Sequence, residues 1–165
     1  FEQAAATVVE LARRYYEEGD ERTLPRSIAT RTAFENLPEL LIAGMRCERL
    51  GVMVARGDMA AELGFERMSE VQEQILWLCE AAHTPVIWAT EVLASLAKKG
   101  VPTRGDVTDA AMSGRAECVM LNKGEYIVRA VEFLADVLGR MGEHQVRKFA
   151  RLRPLHVCFE KTTRR

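Results

Sequence analysis

The sequence has little of what marks a disulfide framework, a zinc site, a membrane span or a nucleic-acid-binding surface. Its four cysteines, Cys47, Cys79, Cys118 and Cys158, stand far apart and form no Cys-x-x-Cys pair. We therefore expect reduced thiols in a cytoplasmic protein. No apolar run approaches the roughly 18 residues of a membrane span, and we expect no signal peptide. Lys and Arg total 23 against 24 Asp and Glu, a net charge of −1, so no overall field favours nucleic acid or a membrane surface.

What is present is a composition ordinary for a soluble globular domain. The 165 residues are 48% hydrophobic and 28% charged. We predict a single domain over 1–165, with a leading helix in 1–20, a packed body in 24–142 and a basic C-terminal tail in 143–165. The chain begins at Phe1 rather than Met, which indicates a processed product or a piece of a longer protein.

A short apolar run that ends in a polar motif is the most informative stretch. Val52 to Ala55 are apolar on consecutive positions, which is typical of a parallel strand covered on both faces. We predict that this strand continues to Asp58 and that Gly57 lets the backbone approach a ligand closely. Asp58 then lies at the carboxyl end of a strand, where parallel α/β folds bind their ligands.

Helical and strand patterns alternate along the chain. A helix followed by four strand-and-helix units predicts an α/β domain with a parallel sheet, and four units make half of an eight-stranded barrel. No Gly-x-Gly-x-x-Gly follows any strand, which disfavours a dinucleotide fold. The predicted elements are helices over 3–18, 36–45, 65–82, 92–99, 107–112 and 126–141, and strands over 25–32, 52–58, 85–90 and 118–121.

The strand ends carry a resemblance to a known family. Val-Met-Val-Ala-Arg-Gly-Asp at 52–58, Pro-Val-Ile-Trp-Ala-Thr-Glu-Val-Leu at 85–93, Lys-Lys-Gly-Val-Pro-Thr-Arg at 98–104 and Glu-Cys-Val-Met-Leu-Asn at 117–122 together resemble the pyruvate kinase barrel. The resemblance covers roughly residues 27–140, in the expected order. It implies the C-terminal half of a catalytic (β/α)8 TIM barrel, strands five to eight.

The resemblance also implies a chemistry and a set of site residues. The family transfers a phosphoryl group between phosphoenolpyruvate and ADP, giving pyruvate and ATP in glycolysis, with Mg²⁺ and K⁺. By motif, Asp58 corresponds to a metal ligand, and Gly57 and Asp58 offer backbone N–H groups to the substrate carboxylate. Thr90 corresponds to the catalytic threonine that assists proton delivery to enolpyruvate. Such transfer depends on positioned positive charge more than on covalent help.

Other positions depart from the family pattern. The family's phosphoryl-binding lysine and second metal carboxylate correspond to Ser27 and Ala29, and no Lys or Glu occurs between Arg22 and Phe34. Beyond them, Glu91 replaces a glutamine, Ala94 replaces an acidic residue, and residues 122–124 replace a Ser-Gly-Glu-Thr motif. We therefore expect phosphoryl transfer to be weak or absent in this chain alone.

Two alternatives remain open, and so does the assembly. The chain could be a catalytically silent scaffold or regulatory half-barrel, or another metal-dependent keto-acid barrel enzyme that reuses Asp58. A half-barrel leaves two strand edges unpaired, which predicts a homodimer or pairing with an N-terminal half-barrel.

Residues outside the family motif positions have plainer interpretations. We predict a structural ion pair for Arg56 rather than phosphate binding, and core positions for Trp77 and Trp88. The three histidines are expected at the surface or at helix ends. Arg104 is the next basic residue that we suspect of a functional role.

Overall fold

The structure is a computed structural model that describes residues 23–45 and 49–145, with side chains over 27–45 and 49–142. The predicted leading helix lies outside these ranges, as do Cys47, Cys158, His156 and the predicted tail from residue 146 onward. Residues 143–145 belong to the last helix rather than to a tail.

Strands and helices alternate through the described residues. The strands are β1 (Thr23–Ile28), β2 (Arg49–Ala55), β3 (Val86–Val92) and β4 (Cys118–Leu121). The helices are α1 (Arg31–Glu35), α2 (Leu37–Gly44), α3 (Arg56–Leu63), α4 (Met68–Ala81), α5 (Ala94–Lys99), α6 (Arg104–Ser113) and α7 (Ile127–Gln145), with a 3-10 turn at Phe65–Arg67 before α4. No helix among the described residues is long and apolar enough to cross a membrane.

All the described strands run parallel in one sheet, in the order β1-β2-β3-β4. Ile28 pairs with Val54, Val54 with Trp88, and Trp88 with Val119. Because the strands are parallel and in sequence order, their carboxyl ends share one edge of the sheet. The predicted α/β class with a parallel sheet is confirmed.

The core lies between the sheet and the helices packed on it. Val54 and Trp88 are fully buried on the two central strands, and Val71 and Ile75 are fully buried on α4. The predicted apolar stripe of α4 is therefore the face that the helix buries. Of the two predicted core tryptophans, Trp88 is fully buried and Trp77 is half-buried.

Two predicted strands end earlier than expected. β1 stops at Ile28, because Thr30 caps α1 by accepting a 3.1 Å hydrogen bond from Ala33 N. β2 stops at Ala55 and α3 begins at once, so the prediction of a strand as far as Asp58 is wrong. The segment after Arg56 buries Met59, Ala60 and Leu63, a helical spacing that favours α3 from its first turn.

Helix starts also differ from the predictions. Asn36 precedes α2, but its side chain makes no cap hydrogen bond and donates instead to Thr32 O at 2.7 Å. α6 begins at Arg104, three positions before the predicted Val107. A capping box explains this early start: Thr103 Oγ1 accepts from Asp106 N at 3.1 Å, and Asp106 Oδ2 accepts from Thr103 N at 2.8 Å.

Candidate active site

The carboxyl edge of the sheet brings together two of the predicted site residues. The backbone N–H of Gly57, in the first turn of α3, donates a 3.0 Å hydrogen bond to Thr90 Oγ1 near the end of β3. Thirty-three residues separate the two in sequence, and the parallel pairing of β2 with β3 brings them side by side. Gly57 is exposed and Thr90 is half-buried, so the contact lies at an open edge.

Asp58 follows in the same helical turn. Its side chain is exposed, and it is the acidic residue in the first turn of α3. A carboxylate there is favoured by the partial positive charge of the helix N-terminus. Asp58 is accessible at the same edge as Gly57.

Ser27 and Ala29 lie beside this edge, on the neighbouring strand end. Ser27 pairs with Met53 and is exposed, and Ala29 follows the Ile28–Val54 pair and is half-buried. Neither residue brings an ammonium or a carboxylate. The end of β1 thus offers a hydroxyl and a methyl group on the strand that pairs with β2.

This donor set does not fit a tightly held Mg²⁺ ion. Within the residues that the structure covers, no group of three or more His, Cys, Asp or Glu side chains could hold a metal. Asp58 is the carboxylate that the motif supplies. The position that corresponds to the second carboxylate of the family is occupied by Ala29. Mg²⁺ keeps most of its water when one carboxylate holds it, so binding here would be weak.

Behind the Gly57–Thr90 contact, Arg56 makes the ion pair that we predicted. Its Nη2 donates to Asp109 Oδ2 at 2.8 Å, and its Nη1 contacts the other oxygen of the same carboxylate. The guanidinium carbon lies 4.8 Å from the centre of the Trp88 ring, and Trp88 Nε1 donates to Asp109 Oδ1 at 3.2 Å. The Arg56 side chain is only 12% exposed.

Arg56 also binds the backbone at the end of β3. Its Nε donates to Ala89 O at 2.8 Å, and its Nη2 donates to Thr90 O. Thr90, Glu91 and Leu93 have φ values of 64°, 61° and 50° in the left-handed region, which non-glycine residues rarely adopt. Such a backbone persists where its surroundings hold it.

Sequence reasoning did not identify Asp109. It lies on α6, which the helix pattern predicted, but nothing local distinguishes it from a solvent-facing aspartate. One signal was available, because a buried tryptophan needs an acceptor for its N–H group.

Residues that depart from the family pattern lie at the same edge. Asn122 Oδ1, just after β4, accepts from Glu91 N at 3.1 Å. The exposed Glu91 carboxylate lies 4.0 Å from Lys98 Nζ, near the end of α5.

Two other residues singled out in the sequence are exposed. Arg104 is exposed at the start of α6, and His83 is exposed, as predicted, in the turn after α4.

Comparison with known proteins decides the family. The family model described as "Pyruvate kinase, barrel domain" matches residues 1–131. The chain belongs to the pyruvate kinase family. The described β/α units are accordingly part of a TIM-type (β/α)8 barrel, as predicted.

Curated pyruvate kinases and a solved structure show how much of that family the chain covers. The Candida albicans pyruvate kinase is 35% identical over 140 residues, 81% of this chain and 27% of that protein. Plastidial pyruvate kinase 3 of Arabidopsis thaliana is 37% identical over 116 residues, 67% of this chain and 19% of that protein. A crystal structure of a Cryptosporidium parvum pyruvate kinase superposes with a TM-score of 0.64 at 28% identity, covering 71% of this chain and 24% of that chain. The chain thus spans about a fifth to a quarter of the length of these pyruvate kinases.

Proposed function

We propose that this chain forms the α-keto-acid-binding side of a pyruvate kinase barrel. The Gly57 and Asp58 N–H groups would bind the carboxylate of pyruvate or phosphoenolpyruvate, with Thr90 beside the substrate. The observation that carries the proposal is the 3.0 Å contact between Gly57 N and Thr90 Oγ1 at the open carboxyl edge. It joins the two family motif positions on neighbouring elements.

The local geometry suits an anionic group. The N–H groups in the first turn of α3 have no partners within the helix, and they carry the positive end of the helix dipole. A bound carboxylate would share the Gly57 N–H with Thr90 Oγ1 and take the Asp58 N–H. Because Thr90 Oγ1 accepts from Gly57 N, its own O–H stays available to donate to an atom of the bound keto acid, which is the role that proton delivery to enolpyruvate requires.

Phosphoryl transfer to or from ADP is proposed to be slow or absent. Charge on a transferring phosphoryl group has to be neutralised by a positioned cation or a metal ion. At the end of β1, Ser27 and Ala29 supply neither the ammonium nor the second carboxylate. Mg²⁺ and K⁺, which the family resemblance implies, would therefore bind this chain weakly, with Asp58 as the Mg²⁺ ligand.

A second candidate function follows from the same two positions. The loss of both charged groups at Ser27 and Ala29 favours a catalytically silent scaffold or regulatory half-barrel that keeps the fold. A different metal-dependent keto-acid enzyme has less support, because the described site brings one carboxylate by motif. In either case the single domain over 1–165 and pairing through the ends of the sheet, with a second copy or an N-terminal half-barrel, stay proposals that sedimentation can test.

Two measurements test the proposal. Pyruvate binding is measured by NMR titration of the wild-type protein and of Gly57→Ala, Thr90→Ala and the exposed control Asp136→Ala. We expect saturable binding that the first two variants weaken and the control keeps. No binding by the wild type would overturn the proposal.

Turnover is measured by a coupled pyruvate-formation assay with phosphoenolpyruvate and ADP, with and without Mg²⁺. We expect little or no product. Mg²⁺-dependent turnover that Asp58→Ala abolishes would contradict both the impaired activity and the silent scaffold. Pyruvate binding without turnover is the combination that we predict.

A further inference from the structure

Arg56 is placed to hold both partners of the Gly57–Thr90 contact at once. Arg56 directly precedes Gly57 in the chain, so the position of the Arg56 backbone also sets the position of the Gly57 N–H group. Its guanidinium donates to Ala89 O and Thr90 O, the two carbonyls on either side of the Thr90 N–H. A movement of this side chain therefore changes the distance between the donor and the acceptor.

The guanidinium is in turn held from the opposite side. Asp109 receives two of its N–H groups, and the same carboxylate also accepts from Trp88 Nε1. The Trp88 ring packs against the guanidinium at 4.8 Å, and Trp88 is fully buried on β3. Paired hydrogen bonds between a planar guanidinium and a carboxylate fix orientation as well as distance.

The backbone at the end of β3 requires such support. Thr90 and Glu91 both have positive φ, a conformation that an unrestrained strand end would leave for the extended region. The hydrogen bonds from Arg56 lie at this point, and Asn122 Oδ1 holds the next N–H, that of Glu91. The orientation of the Thr90 hydroxyl depends on this backbone conformation.

We propose that Asp109, acting through Arg56 and Trp88, is the positioning residue that sets the Thr90 hydroxyl against the Gly57 N–H and so shapes the keto-acid site. This inference rests on the proposed function above. Among the residues that the structure covers, the Asp109 carboxylate accepts hydrogen bonds from Arg56 and Trp88 and not from Gly57 or Thr90. It acts from α6, across the end of β3.

The test compares Asp109→Asn with Arg56→Lys. Asparagine keeps the side-chain size but loses the charge and one acceptor. Lysine keeps the charge but has three N–H donors for the four hydrogen bonds that Arg56 makes, and it lacks the planar two-point contact with the carboxylate. Thr90→Val keeps its shape and removes the acceptor of the Gly57 N–H. Asp136→Asn is the matched control, because Asp136 forms an exposed ion pair with Arg140 on α7.

Two readouts are measured: native-state hydrogen exchange at the Gly57 amide, and the Kd for pyruvate. Losing a charge-assisted hydrogen bond should speed Gly57 exchange and raise the Kd by about tenfold each in Asp109→Asn and Arg56→Lys. Thr90→Val gives the exchange rate of a fully broken contact. Asp136→Asn should match the wild type in both readouts.

Each result supports or overturns the inference. Wild-type exchange at Gly57 in a folded Asp109→Asn protein would show that Asp109 is merely structural. If circular dichroism shows that Asp109→Asn does not fold, the Gly57 exchange rate in Arg56→Lys tests the positioning role instead, and a wild-type rate there would overturn it. A wild-type protein that binds no pyruvate would overturn the proposed function, whereas unchanged Gly57 exchange overturns the positioning role, so the two failures are distinguishable.

Discussion

Two glycines near strand ends have very different surroundings. A Cβ atom built at Gly57 would lie 3.8 Å from Thr90 Oγ1, an ordinary contact, whereas one at Gly124 would lie 2.0 Å from Ala97 O. Gly124 is therefore required by the close approach of the loop after β4 to α5. Gly57 is not required for packing, so a cost of replacing it would have to come from ligand binding.

We expect Gly57→Ala to separate folding from binding. Alanine is favoured over glycine in a helix, so the free energy of unfolding should stay within about 1 kcal/mol of the wild type. The added methyl group faces the Thr90 hydroxyl and should weaken pyruvate binding about tenfold by crowding the approach of the carboxylate. Urea unfolding and NMR titration measure the two effects.

Gly124→Ala is the contrasting variant, and it should lose about 3 kcal/mol of stability, since a backbone carbonyl occupies the space. Unchanged pyruvate affinity in Gly57→Ala would show that this surface is not the binding surface.

Cys79 predicts a pH dependence of stability. Burial, with a smaller contribution from Glu117, raises the pKa of its thiol from 9.0 to about 12. The unfolded thiol ionises first, so the stability contributed by the neutral buried thiol is complete below about pH 9 and declines as the pH rises toward about 12. The decline should approach 1.4 kcal/mol per pH unit.

The measurement is the difference in unfolding free energy between the wild type and Cys79→Ala from about pH 8 to about pH 11. This difference should shrink with rising pH, because the variant lacks the titrating group. A constant difference would contradict the raised pKa.

At the residue scale, the sequence predicted site residues where they belong to a recognisable motif. Gly57 and Thr90 were predicted as neighbours of one substrate, and the structure places them in contact. The ion pair of Arg56 was predicted without its partner. Asp109 could not be identified, because its role depends on the packing of α6 against the end of β3.

At the element scale, the junction between β2 and α3 decides where the site lies. The strand ends at Ala55 and the helix begins at Arg56 with no connecting loop. This abrupt change puts the N–H groups of the first helical turn directly at the carboxyl edge of the sheet. The consecutive apolar residues from Val52 to Ala55 predicted the strand, but the prediction extended it three residues too far, through Arg56, Gly57 and Asp58.

Helix α6 is the second element on which the site depends, because it carries Asp109. The capping box formed by Thr103 and Asp106 stabilises the start of this helix. Thr103→Ala should lower the free energy of unfolding by about 1 kcal/mol, since the Asp106 N–H loses its acceptor. It should also speed exchange at the Gly57 amide, since the start of α6 loosens. Urea unfolding and amide exchange measure these changes.

Thr108→Ala is the control for this prediction. Thr108 is exposed on α6, and its hydroxyl donates to carbonyls of the preceding turn. A hydroxyl bonded in this way adds little to helix stability, so its loss should change both readouts less. Equal effects of the two substitutions would contradict the importance of the capping box.

Most elements could be predicted because long apolar stripes and short apolar runs leave few choices. The spacing of apolar residues such as Val71 and Ile75 predicted the helix α4, and β4 was predicted with its observed bounds. Boundaries set by side-chain capping, at Thr30 and Thr103, were missed. They depend on single hydrogen bonds that hydrophobic periodicity does not report.

At the scale of the whole molecule, the described sheet has four parallel strands, with β1 and β4 at its two ends. A closed barrel pairs every strand on both sides. The described strands are therefore part of such a barrel, as the family membership indicates. The proposed function therefore depends on one edge of the sheet, where the α3 N-terminus and Thr90 are present and the charged groups expected on β1 are not.

The central claim is that this pyruvate kinase family chain keeps the keto-acid contact but lacks half of the metal site. The most direct test is a calorimetric titration of Mn²⁺, a probe for the oxygen-rich sites that also take Mg²⁺, into the wild-type protein and Ala29→Glu. The exposed Ala43 on α2 provides the control variant Ala43→Glu. We expect weak binding by the wild type and the control, and affinity at least about tenfold higher in Ala29→Glu, because a second carboxylate then joins Asp58. Tight Mn²⁺ binding by the wild type that Asp58→Ala abolishes and Ala29→Glu does not improve would contradict the claim.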